Sequence, residues 1–459
     1  MSFTPVFLTT DVLFFVLLAV ALAYAWYASR WEHLRAPWRQ VARNKRAVAA
    51  GLVLITFLLV GLLDSMHFLP RLDEPDANGN EAYASEMISV FDLLVEPLRL
   101  SAEKTYSAPL ATRLFAKETI DQPDDSIVRD YPPLAYGGAH LDGAPAGPDI
   151  ARRIAVGAFK GVLVSGVVIG LVWWWRRRGG SAGKSDVPWG VAIATFGSLA
   201  VLIGSGAELA GGYHVFGTDK VGTDVLYQAL KSIRTGLLIG TLTTLIMLPF
   251  AVVLGGMAGY FRGLIDDIIQ YLYTTLSSIP GVLLIAAAAL ILDVYMSRNA
   301  DAFASLAARA DLRLLALCII LGITSWTGLC RLLRAETLKL REIEFVQAAR
   351  AFGVGHTTVM ARHLLPNLMH IVMISIVLDF SNLVLAEAVL SYINIGVDPS
   401  MESWGNMINS ARLELAREPV VWWSLAAAFV FMFALVLAAN LFADAVRDAF
   451  DPRLRDGSH

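Results

Sequence analysis

The chain has 459 residues, 56% of them apolar and 17% charged, with a net charge of −3. Soluble proteins carry roughly 45–50% apolar and about 25% charged residues, so this balance excludes an ordinary soluble domain and points to a polytopic membrane protein. Two cysteines exclude a disulfide scaffold or a cysteine-rich metal fold, and the slight acidic excess leaves no footprint for nucleic acid.

A membrane-crossing helix takes about 20 mostly apolar residues, because a hydrocarbon core of roughly 30 Å is divided by a rise of about 1.5 Å. Nine stretches meet that length: Val6–Ala28, Ala47–Met66, Ile154–Trp175, Val187–Ala207, Ile233–Tyr260, Ile268–Tyr295, Leu312–Leu333, Leu368–Tyr392 and Val420–Ala443. The first has no Lys or Arg ahead of it and a basic run behind it, the reverse of a signal peptide, so it reads as a retained helix.

Between the second and third spans lies Phe68–Arg153, with 15 acidic and 6 basic residues from Arg71 to Asp149. Its middle, Glu86–Glu118, has helical character, and Tyr131 to Pro148 is rich in Pro, Gly and Asp. Such a charge run reads as a solvated surface or as a docking face for a partner. The third span ends in Trp173, Trp174 and Trp175 followed by three arginines, an anchor at headgroup depth. Gly179–Ser185 looks like a phosphate-binding loop, but Arg178 stands where the first glycine is required and no strand precedes it. It reads as a flexible basic turn.

Short-loop Lys and Arg set orientation. They cluster at Arg30–Arg46, Arg176–Lys184, Arg262, Arg331–Arg362 and Arg447–Arg455. With nine spans and an external N-terminus, all five clusters fall on the cytoplasmic side, and Phe68–Arg153 falls outside.

The sixth and eighth spans are interrupted by polar residues and proline, which survive in lipid only against protein or water. Ser277, Ser278 and Pro280 either break the sixth span at a pathway or kink it for packing. Asp379 and Asn382 either line a pathway or pack, while Glu387 is expected to hold the bend Ala386–Ser391 by hydrogen bonds. Cys318 and Cys330 read as small apolar packing residues. His356, His363 and His370 recur every seven residues, yet Pro366 interrupts their face and no carboxylate or Cys completes a metal set. No nucleophile triad or paired-carboxylate motif stands out, so catalytic, cofactor and metal sites are expected to be absent.

The loop between spans seven and eight is the most informative. Phe345, Ala348, Ala349 and Phe352 recur at i, i+3, i+4 and i+7, one face of a helix. Gly353 is a natural stop, a second helix is expected to start with Thr357 or Thr358 as its cap, and Pro366 is expected to end or kink it. Small residues at the centre of the exposed face let the backbone of another protein approach, and an unpartnered helix has no need of both phenylalanines on one side.

Glu344–Asn367 resembles the cytoplasmic "EAA" loop of permease subunits of bacterial ATP-binding-cassette importers. Gln347 stands where that pattern often has Glu, whereas Ala348, Ala349, Gly353 and Pro366 match. His214 to Asp224 looks like the H-x-x-G-T-D-x-x-G-R-D segment of the dipeptide/oligopeptide/nickel permease family, with Thr223 in place of the Arg. Leu385–Ser391, Ser403–Met407 and Arg447–Arg455 resemble its L-A-E-A-x-L-S, S-W-G-x-M and R-D-x-x-D-P-R-L-R motifs, and Arg43–Arg46 resembles its N-terminal cytoplasmic segment.

The resemblance implies an all-α polytopic permease of the type I importer fold in the bacterial inner membrane. Residues 211–455 would form the core, with a coupling loop at 335–367 and 47–66 as the family's first helix. An extra helix and basic segment (1–46), an acidic periplasmic loop (67–153) and two further helices (154–210) would be additions. The family implies a second permease subunit, two cytoplasmic ATPases that hold the ATP, a periplasmic solute-binding protein and surrounding lipid. It also implies an ATPase-coupling role for Glu344, Phe345, Gln347, Ala348, Ala349, Arg350, Phe352, Gly353, Arg362, His363 and Pro366. A secondary transporter or channel that works without an ATPase is the alternative, and it has no evident use for that loop helix. A membrane-embedded enzyme would need a polar catalytic set that the sequence lacks.

Overall fold

The computed structural model describes residues 3–71, 83–84, 86–121, 127–141, 143–178, 187–299 and 305–450. The basic turn Gly179–Ser185 and the end of the C-terminal motif, Asp451 to Arg455, lie outside the described residues.

Helices dominate. In chain order they are α1 (Thr9–Arg30), α2 (Glu32–Arg43), α3 (Lys45–Asp64), α4 (Val90–Leu94), α5 (Glu96–Leu100), α6 (Ala146–Arg178), α7 (Trp189–Ala210) and α8 (Val225–Phe261). Then come α9 (Leu264–Ser278), α10 (Gly281–Arg298), α11 (Leu306–Leu340), α12 (Glu344–Ala351), α13 (His356–Val359), α14 (Leu365–Tyr392), α15 (Trp404–Glu414) and α16 (Trp423–Phe450). Five short strands accompany them: β1 (Phe3–Val6), β2 (His67–Pro70), β3 (Ile88–Ser89), β4 (Glu118–Asp121) and β5 (Ile127–Asp130).

Eight helices among the described residues are long and apolar enough to cross a membrane: α1, α3, α6, α7, α8, α10, α14 together with α13, and α16. The expected span Leu312–Leu333 falls inside α11, a 35-residue helix outside that set. The expected span Ile268–Tyr295 is not one helix. Pro280 drives the residue before it out of the helical region, so Ile279 is extended, α9 stops at Ser278 and α10 restarts at Gly281.

The chain forms two compact units. The first comprises Met1–Phe7, Ala42–Thr235 and Glu402–Ala438. In it α6 and α7 pack backbone to backbone, and a Cβ added to Gly204 would stand 2.5 Å from the Gly157 carbonyl oxygen. β2 pairs antiparallel with both β1 and β3, with Phe3 opposite Pro70 and Phe68 opposite Ile88. β4 and β5 form a separate hairpin. The helical expectation for Glu86–Glu118 is met only by α4 and α5, of five residues each. From Ser101 to Lys117 the backbone instead bonds to other parts of its unit, Glu103 N–H to the Gly222 carbonyl, Leu110 N–H to the His214 carbonyl and Leu114 N–H to the Pro132 carbonyl, each at 2.9 Å.

The second unit comprises Leu8–Val41, Gly236–Met401 and Ala439–His459. Its core runs along α11, where Leu314, Leu317, Cys318, Leu321, Leu329, Cys330 and Leu333 are buried. Arg334 of α11 grips Asp266 of α9 with two bonds of 2.6 and 2.7 Å. The backbone N–H and hydroxyl of Thr10 donate to the Asp311 carboxylate, which ties α1 to α11 through buried groups.

Candidate functional site

The loop from Arg341 to Pro366 is built more rigidly than its length requires. Arg341 caps α11, and its guanidinium donates to the Tyr260 carbonyl at 2.6 Å. Arg262 pairs with Glu342 at 2.7 Å. Glu344 in the first turn of α12 and Arg350 in the last complement its dipole. The helix ends in a Schellman arrangement: Gly353 N–H donates to Arg350 and Val354 N–H to Ala349, at 3.0 and 3.1 Å. That turn needs the positive φ of +79° that Gly353 adopts.

One residue of α12 anchors it. Val346 is fully buried against Tyr260, Val359 and Leu364, with Leu340, Ala349, Val354 and Met360 around them. The phenolic group of Tyr260 meets His356 Nδ1 at 2.8 Å. α13 begins at His356 with Gly355 as its cap, two or three residues ahead of the expected threonine caps. The helix does not end at Pro366. Met360–Leu364 forms a wide π turn that runs directly into α14, whose first turn holds Pro366. Proline cannot donate and crowds the carbonyl four residues back; the wider turn takes up both effects.

The expected coupling residues are brought together on this frame. Phe345, Gln347, Ala348, Arg350 and Phe352 are exposed, with Phe352 at 88%, while Ala349 is half-buried. Arg362 is exposed, and the half-buried His363 ring lies 6.2 Å from Phe345. Val346, Tyr260 and Arg341 hold the frame, and only the apolar character of Val346 in the sequence hinted at it. His356, His363 and His370 diverge, bonding Tyr260, lying tilted against Phe345 and bonding the Asn367 carbonyl respectively.

The candidate pathway residues are not drawn together in the same way. Ser277 and Ser278 end α9 and are exposed; Ser277 Oγ donates to Thr327 Oγ1 at 3.4 Å and Ser278 Oγ to the Thr275 carbonyl at 2.7 Å. Pro280 caps α10. On α14, Asp379 is half-buried and Asn382 exposed. Glu387 is buried and accepts from Ser391 Oγ at 2.7 Å, but the expected bend at Ala386–Ser391 is instead the continuous end of α14, which runs to Tyr392.

A second constellation joins the acidic segment to the start of α8; the sequence marks its His214 and Asp224 as ends of a family-like motif but not their partner Glu103. His214 Nδ1 lies 2.7 Å from Asp224 and its Nε2 3.3 Å from Glu103. The Glu103 carboxylate also accepts three successive backbone N–H groups, from Ala135, Tyr136 and Gly137, at 2.8 to 3.0 Å. Burial opposes its charge, but those donors and His214 outweigh burial and hold its pKa below the ordinary glutamate value. Burial likewise opposes a charged His214, yet Asp224 and Glu103 raise its pKa above the ordinary value. Gly222, at φ +82°, presses on the Glu103 backbone where a Cβ has no room. Nearby, Lys231 bonds Asp64 at 2.6 Å and Asp92 at 3.0 Å. Burial opposes the Asp92 carboxylate, but Lys231 and the Ser89 N–H lower its pKa on balance. The acidic segment is therefore not merely a solvated surface: Asp92 and Glu103 are buried and paired. The family-like residues serve this unit too, since Trp404 Nε1 donates to the Ala229 carbonyl and Ser403 caps α15.

Residues 251–456 match the family described as binding-protein-dependent transport system inner membrane component. The glutathione transport system permease protein of Pectobacterium atrosepticum is 30% identical over 244 residues, covering 53% of this chain and 73% of the relative. The chain belongs to this permease family. The dipeptide transport system permease protein of Lactococcus lactis is 30% identical over 240 residues, or 52% of this chain and 64% of the relative. The oligopeptide transport system permease protein of Haemophilus influenzae is 29% identical over 251 residues, or 55% and 74%. As a permease, the chain is a membrane transport component and not an enzyme. The match contains the whole Arg341–Pro366 loop and all five candidate pathway residues.

Proposed function

We propose that this permease forms part of the translocation pathway of an ATP-driven importer of peptides or related small solutes in the bacterial inner membrane. The observation that carries the reading is the exposed Phe345–Phe352 face on a helix pinned by Val346, Tyr260 and Gly353. A pinned helix transmits displacement, and an exposed aromatic face gives a second protein something to hold. Relatives named for dipeptide, oligopeptide and glutathione transport support the solute class.

In this reading the ATP sits on two cytoplasmic ATPases that grip Glu344–Gly353 together with Arg362, His363 and Pro366. A second permease chain completes the pathway, and a periplasmic binding protein delivers solute. ATP and the loaded binding protein each bias a two-state equilibrium between access to the two sides. The break at Ser277, Ser278 and Pro280, with Asp379 and Asn382, faces the pathway. α11 crosses as a ninth helix, the N-terminus lies outside and the C-terminus in the cytoplasm. Residues 211–455 form the core, and 1–46, 67–153 and 154–210 are additions to it.

Co-purification tests this. The tagged full chain, extracted in mild detergent, is expected to bring down a second permease and one or two ATPases. A chain that purifies alone, with no ATPase captured even by gentle crosslinking at Glu344–Gly353, overturns the reading.

A further inference from the structure

The helix α2 has no assigned task. Single residues, Trp31 and Asn44, join it to α1 and α3, both long and apolar enough to cross a membrane. One extended residue spans only about 3.5 Å. A helix tethered that closely at both ends lies at the membrane surface.

Its faces differ sharply. Pro37 and Val41 are buried, and the Trp38 ring meets Phe450 edge-on at 5.4 Å. Arg35, Arg39 and Arg43 are exposed and four residues apart, so they form one stripe. Lys45 and Arg46 follow, also exposed. Trp31 is half exposed, and Arg30 lies 3.7 Å from the ring centre of Trp26. Like charges at i, i+4 work against a helix. The single acidic residue of α2, Glu32, is 3.8 Å from Arg39, with its side chain 90% exposed. An in-plane basic stripe of this kind matches a layer of phosphates, and each guanidinium can bond two phosphate oxygens at once.

We propose that α2 is a binding site for anionic phospholipid headgroups, with Arg35 and Arg39 on the phosphates and Trp31 at the acyl boundary. The site needs only that α1 and α3 span the membrane; it is independent of what the permease carries.

The test uses the full chain in mild detergent with whatever subunits accompany it. It is mixed with equal amounts of phosphatidylglycerol and phosphatidylcholine, and the lipids that stay bound are counted by native mass spectrometry. Phosphatidylglycerol is expected to be retained in preference. Arg35→Gln with Arg39→Gln should cut that preference roughly tenfold, and Arg35→Lys with Arg39→Lys should keep most of it. Both side chains are exposed, so an unchanged unfolding midpoint is expected in either variant. Equal retention of the two lipids, an undiminished preference in the glutamine variant, or displacement by excess inorganic phosphate overturns the proposal. So does loss of a protein subunit from the glutamine variant with its lipid preference intact, which would assign the stripe to a protein partner.

Discussion

The polar anchor of the acidic segment and the loop that follows α11 spend their side chains in opposite ways. Around His214, three ionisable side chains are 2% exposed and bonded to one another, and backbone N–H groups close on Glu103 from a third direction. Around α12, by contrast, the largest apolar group points away from the chain, with Phe352 at 88% exposure. Buried, fully bonded charge marks a place where the chain closes on itself, because breaking such a pair is costly. A bare aromatic on a pinned helix is, under the proposed function, the place where another chain closes on this one.

The contrast can be broken by variants. The largest effect is expected from Ala348→Asp combined with Gly353→Pro, since proline cannot adopt the positive φ of +79° at Gly353. Peptide uptake should vanish while the protein still reaches the membrane fraction; undiminished uptake removes the coupling assignment. Glu103→Ala leaves His214 Nε2 and three backbone N–H groups without their acceptor and should cost about 3–5 kcal/mol, read as a fall in the thermal unfolding midpoint. Phe352→Ala should leave stability within about 0.5 kcal/mol of the parent, as for any exposed surface change, yet reduce ATPase recovery in a pull-down. A large destabilisation by Phe352→Ala erases the contrast.

A pH series sharpens it further. Glu103 has a lowered pKa, so its contribution is complete above the ordinary value of 4.5 and is lost as pH falls through the lowered one. His214 has a raised pKa, so its contribution is complete below the ordinary value of 6.5 and is lost as pH rises through the raised one. Protection of the Ser101–Gly137 segment from protease should therefore peak between those two values in the parent. The optimum should flatten in Glu103→Gln, and an unchanged optimum there refutes the assignment. Tyr260→Phe should cost a modest amount, about 1 kcal/mol for one hydrogen bond to His356.

Much of the helical layout was legible because it rests on local rules. Apolar runs of spanning length place α1, α3, α6, α7, α8, α14 and α16, and the i, i+3, i+4, i+7 pattern places α12 with its glycine stop. The break at Pro280 was legible as a choice between rupture and kink, and the backbone restriction before proline decides for rupture. What escaped depends on partners far along the chain. Glu103 is one acidic residue among fifteen in its segment, and its bond to His214 spans 111 positions. Nothing local separates it from its solvated neighbours. Val346 escaped because the pattern was read for the face turned outward, while the buried contacts with Tyr260 and Val359 come from other helices. The π turn before Pro366 escaped because a proline signals only that the regular ladder must change, not how.

Asp224 divides its two carboxylate oxygens between tasks. One accepts from the Leu226 and Tyr227 backbone N–H groups at the start of α8, at 2.8 and 3.1 Å, and the other faces His214. The first turn of a long apolar helix and the seating of the acidic segment thus share a single residue. Fraying of that turn and release of the segment become one event, and the two amides serve as a built-in gauge. Their hydrogen-exchange rates report, without any label, how much of the time the segment stays seated.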